Sequence, residues 1–130
     1  MDQIMVPVSP GELLDKITIL EIKSEQMTDP DKLANVRREL DLLNTTWDQS
    51  GLEDAQTRQL KEQLKEINLG LWDIEDDIRD KERAKEFDQR FIELARSVYF
   101  TNDRRSDVKK QLNLHLGSVI VEEKSYQDYQ

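Results

Sequence analysis

Apolar residues recur along most of this chain at intervals of three and four, the spacing of one face of an α-helix. The pattern predicts four helices, over residues 10–27, 30–47, 52–86 and 88–116. A length of 130 residues is typical of one domain, so we expect a single helical domain over residues 1–130. The predicted fold class is all-α, a four-helix antiparallel bundle.

The second and third predicted helices carry similar narrow apolar seams. A short polar turn at residues 48–51 joins them, which is typical of an antiparallel helical hairpin. We therefore expect this hairpin to form the frame on which the first and fourth helices pack. The seams consist of Leu33, Val36, Leu40, Leu43 and Trp47 on the second helix, and of Leu60, Leu64, Ile67, Leu71, Ile74 and Ile78 on the third.

The first predicted helix has a well-marked start and two apolar sides. Ser9 can cap it, Pro10 suits the first helical position, and Glu12 completes a capping box. One apolar side contains Ile17 and the opposite side contains Ile22. A helix of this kind needs cover on both sides, so we expect it at the centre of the bundle or at a subunit interface.

Short extended segments flank the predicted helices at both ends of the chain. Residues 3–8 and 118–122 are rich in β-branched residues, and Pro7 keeps the first segment non-helical. The two segments can pair as a short two-stranded terminal ribbon. Two strands alone are only marginally stable, so the ribbon would have to pack on the helices.

Composition excludes several classes of function. The net charge of −9 argues against binding to duplex nucleic acid or to an anionic membrane surface, because both require a basic surface. The chain has no cysteine, which fits a cytoplasmic location and excludes a thiol nucleophile. We see no signal peptide and no apolar stretch near the roughly 18 residues of a membrane span.

An acidic stripe on the third predicted helix is the first candidate for chemistry. Its four aspartates fall within a sector about 100° wide. Facing carboxylates on the first helix could complete a magnesium site, as in all-helical nucleotide pyrophosphatases. A solvated face or an ion-pair network is the other interpretation, and we favour it. The candidate ligands are Asp73, Asp76, Asp77 and Asp80, with Glu12, Asp15, Glu21 and Glu25 on the first helix.

A tryptophan beside two arginines is the second candidate. Trp72, Arg79 and Arg83 line one edge of the acidic stripe. Such a group can hold a planar or anionic ligand by stacking and by bidentate hydrogen bonds. In the alternative interpretation Trp72 packs against another helix and the arginines pair with nearby aspartates.

Asn102 and Arg105 are the third candidate, because both fall within the apolar stripe of the fourth predicted helix. A buried arginine can pair with a carboxylate of another helix, or it can anchor an anion in a cavity. Helical enzymes of the chorismate-mutase type hold a dicarboxylate in this way, and Lys16 and Lys23 could act with Arg105. We interpret His115, the single histidine, as a surface or helix-terminus residue.

Five segments of the sequence carry a resemblance to a known family. They are VPVSPGELLDKITILEIK at 6–23, LWDIEDDIRDKER at 71–83, FIELAR at 91–96, TNDRR at 101–105 and VEEKSY at 121–126. The chain resembles a small family of bacterial and phage proteins, domain of unknown function 6165. The resemblance spans nearly the whole chain and implies that both termini belong to the domain. It implies no activity and transfers no catalytic residues.

Together these patterns favour a cytoplasmic, non-catalytic binding or interaction module without a cofactor. We expect a homodimer or another protein partner, and a small anionic ligand is compatible with the basic candidates. The alternative is a small helical enzyme that acts on an anionic metabolite, either a phosphohydrolase dependent on Mg²⁺ or Mn²⁺ or a mutase-like protein. The expected ligand-binding residues are Trp72, Arg79, Arg83, Asn102, Arg105, Lys16 and Lys23.

Overall fold

The computed structural model describes residues 3–129 and contains four helices in that range. They are α1 (Pro10–Gln26), α2 (Pro30–Ser50), α3 (Ala55–Ala84) and α4 (Gln89–His115). The all-α prediction and its four helices are confirmed. The largest differences lie at the predicted bounds 47 and 52, where α2 continues to residue 50 and α3 begins at residue 55. In the described part of the chain, no helix is long and apolar enough to cross a membrane.

Each helix begins at a side chain that accepts a hydrogen bond from a backbone N–H of the first turn. Ser9 accepts from Glu12, and the other three capping residues are Asp29, Asp54 and Asp88. Such a cap satisfies a backbone donor that has no partner inside the helix. The helix starts are therefore set by local sequence.

α1 lies at the centre of the bundle, because it packs against each of the other three helices. Leu14 and Ile17 on one side and Ile22 on the other are almost completely buried. Both apolar sides of α1 are thus covered within the chain. The central position that we gave as one of two alternatives accounts for its pattern.

The predicted pairing of the second and third helices is wrong. α2 packs against α1, and its backbone makes no close approach to the backbone of α3. α3 packs most extensively against α4. Because α1 has two apolar sides, it covers apolar residues of both α2 and α3. These two seams could otherwise have been buried against each other. In α2 only Val36 and Trp47 are buried, so one contact face suffices for this helix.

α3 and α4 form the antiparallel hairpin of this fold. Arg90 near the start of α4 lies 3.9 Å from Asp77 near the end of α3, and His115 at the end of α4 lies 2.9 Å from Asp54 at the start of α3. Four residues connect the two helices, so the chain reverses in a tight loop.

The apolar core occupies one end of this hairpin. It is built where α1 meets the first half of α3 and the second half of α4. Between residues 73 and 100 only Leu94 is buried, so this part of the hairpin forms a thin two-helix arm. The buried members of the core are Leu13, Leu14, Ile17, Trp47, Leu60, Leu64, Ile67, Val108 and Leu112.

The predicted terminal ribbon is wrong, since residues 3–129 contain no strand. Residues 3–8 are exposed and irregular. In the other segment, Ser118 Oγ donates to the carbonyl of Ile120 at 2.6 Å and closes a local turn. Pro7 also removes one of the few donors that a short ribbon would need. These local preferences act against pairing of two strands that are marginal by themselves.

The C-terminal segment, residues 118–129, runs back along α4. Lys109 Nζ lies 3.2 Å from Glu122, and Lys124 pairs with Asp103. The ring of Tyr129 lies 4.9 Å from the ring of Phe100, centre to centre. The segment is irregular, but it packs on the domain, as the resemblance implied.

The cap of α3 predicts a dependence of stability on pH. Asp54 accepts a hydrogen bond from the Thr57 N–H at 2.7 Å, and its other oxygen lies 2.9 Å from His115 Nε2. The Thr57 N–H and then His115 lower the pKa of Asp54 below its ordinary 3.8. A carboxyl whose pKa is lowered by folding stabilises the fold above its unfolded pKa. That contribution is lost as the pH falls through the lowered value.

We therefore expect Asp54→Ala to lower the urea midpoint by more at about pH 5 than at about pH 3. Urea unfolding at both pH values tests this expectation. Asp41→Ala is the control, because the Asp41 side chain is exposed and makes no ion pair within the described residues. A deficit for Asp54→Ala that is equally large at both pH values would contradict the assignment.

Candidate functional site

A buried carboxylate joins three of the four helices. Asp15 of α1 is only 1% exposed. Arg105 of α4 donates from Nε to Asp15 Oδ1 at 2.9 Å and from Nη2 to Asp15 Oδ2. Asn68 of α3 donates from Nδ2 to Asp15 Oδ1 at 3.0 Å. The two-point contact with Arg105 compensates the buried charge and orients both side chains.

Hydrogen bonds extend this network on both sides of Asp15. Asn68 Nδ2 also donates to Thr18 Oγ1 at 3.0 Å, and that hydroxyl donates to the backbone carbonyl of Asp15 at 2.8 Å. On the α4 side, Arg105 Nη1 donates to Asn102 Oδ1 at 3.4 Å. Because every member is held by another member, the network fixes the positions of side chains on three helices.

A second cation continues the network towards the C-terminal segment. Lys109 Nζ donates to Glu12 at 2.6 Å and lies 4.0 Å from Asp15. Burial opposes the charge on Lys109, but its hydrogen bonds with Glu12 and Glu122 raise its pKa above the ordinary 10.5. The hydrogen bond with Asp15 raises the pKa of Arg105 in the same way. Both cations therefore stay charged at neutral pH.

A pocket of about 450 Å³ opens beside this network, between α1, α3 and α4. Its apolar surface is supplied by Ile19 and Ile22 of α1 and by Leu71 and Trp72 of α3. Pockets that hold small molecules fall within roughly 300–1,000 Å³ and are mostly apolar with a few polar groups. The size and lining of this pocket match that description.

The polar lining of the pocket consists of two amides, two carboxylates and one guanidinium group. Arg105 and Asn102 lie on α4, opposite Glu75 and Asp76 on α3, and Asn68 lies at the base. Glu75 accepts from Arg79 Nε at 3.2 Å on the exposed side of α3. The pocket therefore combines a rigid base, formed by the network, with an acidic wall.

A family model described as a family of unknown function (DUF6165) matches residues 4–129. The chain belongs to this family. The resemblance inferred from the sequence is thus confirmed over almost the whole length. No curated protein and no solved structure matches the chain. A function for this DUF6165 protein has to be inferred from its own residues.

The fold of the DUF6165 protein brings three of the predicted ligand residues together. Trp72, Asn102 and Arg105 line the same pocket, although they were separate candidates in the sequence. Arg79 and Arg83 do not line it, and they pair with acidic residues of their own helix on an exposed surface. For those two arginines the alternative interpretation, pairing along the helix, describes the geometry.

The two lysines predicted from the first helix lie away from the pocket lining. Lys16 is exposed and Lys23 is partly exposed. The grouping of Lys16, Lys23 and Arg105 around a dicarboxylate is therefore not assembled. The reason is the position of α1, which places Ile19 and Ile22 towards the pocket.

The eight carboxylates considered as metal ligands do not converge. Among residues 3–129, no three acidic or histidine side chains are placed to hold a metal ion together. The carboxylates of α1 pair with cations of α3 and α4, and all four aspartates of the α3 stripe are exposed. The residues concerned are Glu12 and Asp15, paired with Lys109 and Arg105, Glu21 and Glu25, paired with Lys61 and Lys65, Asp77 and Asp80, paired with Arg90 and Arg83, Asp76, which lines the pocket, and Asp73.

Sequence reasoning missed two members of the site, Asn68 and Thr18. Asn68 adjoins Ile67 within the apolar seam of α3, and a polar residue there signals a buried partner. Thr18 adjoins Ile17 in α1 in the same way. Asp15 was a candidate metal ligand in the less favoured of two interpretations, and its contacts make it the counter-ion of Arg105.

Proposed function

We propose that this DUF6165 protein is a non-catalytic binding module that holds a small molecule in the pocket between α1, α3 and α4. The observation that carries the proposal is a pocket of about 450 Å³ beside a buried charge network. Most buried salt bridges add little net stability, because desolvation offsets the attraction between the charges. Positioning of the pocket lining gives this network a role beyond stability.

Preorganisation is the first argument for binding. Asp15 holds Arg105, and Arg105 in turn donates to Asn102 on the pocket wall. Asn68 is held by Asp15 and Thr18. A ligand that enters such a pocket does not have to order these side chains, which lowers the entropic cost of binding.

The chemistry of the lining is the second argument, and it favours binding over catalysis. Trp72 offers a ring for stacking, and Asn102 offers an amide for hydrogen bonding. The buried carboxylate of Asp15 accepts from Arg105 and Asn68, so it is engaged in structure rather than free to move protons.

Fluorescence of Trp72 tests the proposal directly. In a Trp47→Phe background, Trp72 is the remaining tryptophan. The buried indole nitrogen of Trp47 has no hydrogen-bond partner, so this substitution removes no hydrogen bond. The probes are phenethylamine, hydrocinnamate and hydrocinnamamide, which share one phenyl ring and differ in charge. We expect at least one probe to change the emission saturably, with a Kd of about 1 mM for so small a ligand.

A matched pair of variants locates the binding. Asn102→Phe fills the pocket and should abolish the change in emission. Arg104→Phe introduces the same ring two residues later on α4, at a position that lines a different depression with Ile67 and Val108. It should leave binding unchanged. The proposal fails if none of the three probes saturates, or if Asn102→Phe binds as the background protein does.

Other expectations about binding stay predictions. A homodimer or another protein partner, and the absence of nucleic-acid and membrane binding, follow from the sequence pattern and from the net charge of −9. The small anionic ligand expected from the basic residues is included in the probe set as hydrocinnamate. Sedimentation velocity of the intact chain addresses the oligomeric state.

A further inference from the structure

We infer that the pocket between α1, α3 and α4 binds an organic cation, an ammonium or guanidinium group on an apolar body. This inference rests on the proposed function, because it names the class of ligand for the same pocket. Its basis is the balance of charge around the pocket and the placement of Trp72 beside Asp76.

Arg105 is not available as an anchor for an anion. Its Nε and Nη2 atoms both donate to Asp15, and Nη1 donates to Asn102. Since Asp15 is fully buried behind it, the positive charge of Arg105 is matched inside the protein. The pair contributes little net charge to the pocket.

The negative charge of the acidic wall, formed by Glu75 and Asp76, is compensated less completely than the charge of the Asp15–Arg105 pair. Glu75 pairs with Arg79 across an exposed surface, where such a pair is worth little. Asp76 also lines the pocket, and within the described residues it forms no ion pair. Asp73 lies one turn before Asp76 on the same helix and adds to the negative potential. The carboxylates of this wall attract a cation and repel an anion.

The apolar lining is suited to the body of such a cation. Trp72 and Asp76 are four residues apart on α3, so they are neighbours on one face of the helix, and both line the pocket. A ring or alkyl group can pack on Trp72 and on Ile19 and Leu71 while its charged end reaches Asp76. Cations are also attracted to the face of an indole ring.

The three phenyl probes test the sign of the ligand charge. In the Trp47→Phe background we expect phenethylamine to bind about 10-fold more tightly than hydrocinnamate, with hydrocinnamamide between them. The amine should bind less tightly as salt is added, because an open pocket is partly screened.

A matched pair of aspartate variants assigns the effect to the pocket. Asp76→Asn should weaken phenethylamine binding by about 5-fold or more, since it removes the carboxylate nearest the proposed ammonium position. Asp73→Asn changes the net charge equally at an exposed position outside the pocket lining. It should weaken binding by less than about 2-fold.

Each result discriminates. Tighter or equal binding of hydrocinnamate would overturn the cation inference and leave the proposed pocket in place. Equal losses for Asp73→Asn and Asp76→Asn would overturn the assignment of Asp76, because long-range charge alone would then explain the preference. Absence of saturable binding by all three probes would remove the proposed function, and the inference with it.

Discussion

Replacement of Arg105 by methionine is expected to destabilise the protein by about 3–5 kcal/mol. Methionine retains much of the side-chain volume and removes the charge. Asp15 is only 1% exposed, and its other close partners are the Asn68 amide and, at 4.0 Å, the Lys109 ammonium group. In the variant these two partners would be the ones that remain. A buried carboxylate without a close cation carries a large desolvation penalty. Urea unfolding at neutral pH measures the change in the free energy of unfolding.

Two further variants separate this effect from a general loss of charge. Arg104→Met removes a neighbouring exposed arginine of α4 and is expected to change stability by less than about 0.5 kcal/mol. The double variant Asp15→Asn, Arg105→Met removes both charges and should be more stable than Arg105→Met alone. Equal losses for Arg104→Met and Arg105→Met would contradict the role of the Asp15–Arg105 pair.

Substitution of alanine at Gly11 and at Gly70 is expected to change stability in opposite directions. A Cβ atom at Gly11 would lie 2.5 Å from the Lys109 carbonyl oxygen and 2.9 Å from Asn113 Oδ1. The Gly11 N–H also donates to that Asn113 oxygen at 2.7 Å. The start of α1 is therefore pressed against α4, and we expect Gly11→Ala to cost about 1–3 kcal/mol despite the higher helix propensity of alanine.

Gly70 provides the matched control because it also lies inside a helix. Nothing lies within 4 Å of the position of its Cβ atom. Gly70→Ala is expected to stabilise the protein by about 0.5–1 kcal/mol, since alanine loses less backbone entropy on folding. Thermal and urea unfolding of the two variants measure the difference. Two changes of the same sign would contradict the close approach of α1 and α4 at Gly11.

The helices of this protein could be predicted from sequence because their signals are local. Ser9 and Pro10 mark the start of α1, and the spacing of leucines and isoleucines marks its faces. The pairing of helices could not be predicted in the same way. An apolar seam shows that a helix needs cover, but the seam of α3 carries no mark that identifies α1 and α4 as the partners.

The candidate site illustrates the same limit at the level of side chains. Trp72, Asn102 and Arg105 each stood out by residue type and position, yet their convergence depends on the pairing of α3 with α4. Asp15 looked like one carboxylate among several on α1. Its burial and its pairing with Arg105 depend on tertiary packing. They make Asp15 the structural counter-ion of Arg105 and not a candidate metal ligand.

The thin two-helix arm, residues 73–100, has a consequence for motion. Segments with few buried apolar groups open at lower free energy than the part of the molecule that buries its side chains fully. The pocket lies at the root of the arm, where Trp72 precedes the first residue of the arm and Asn102 follows the last. A ligand bound there would contact both helices of the arm and restrain their separation. We therefore expect ligand binding to slow amide hydrogen exchange in the loop near Phe87.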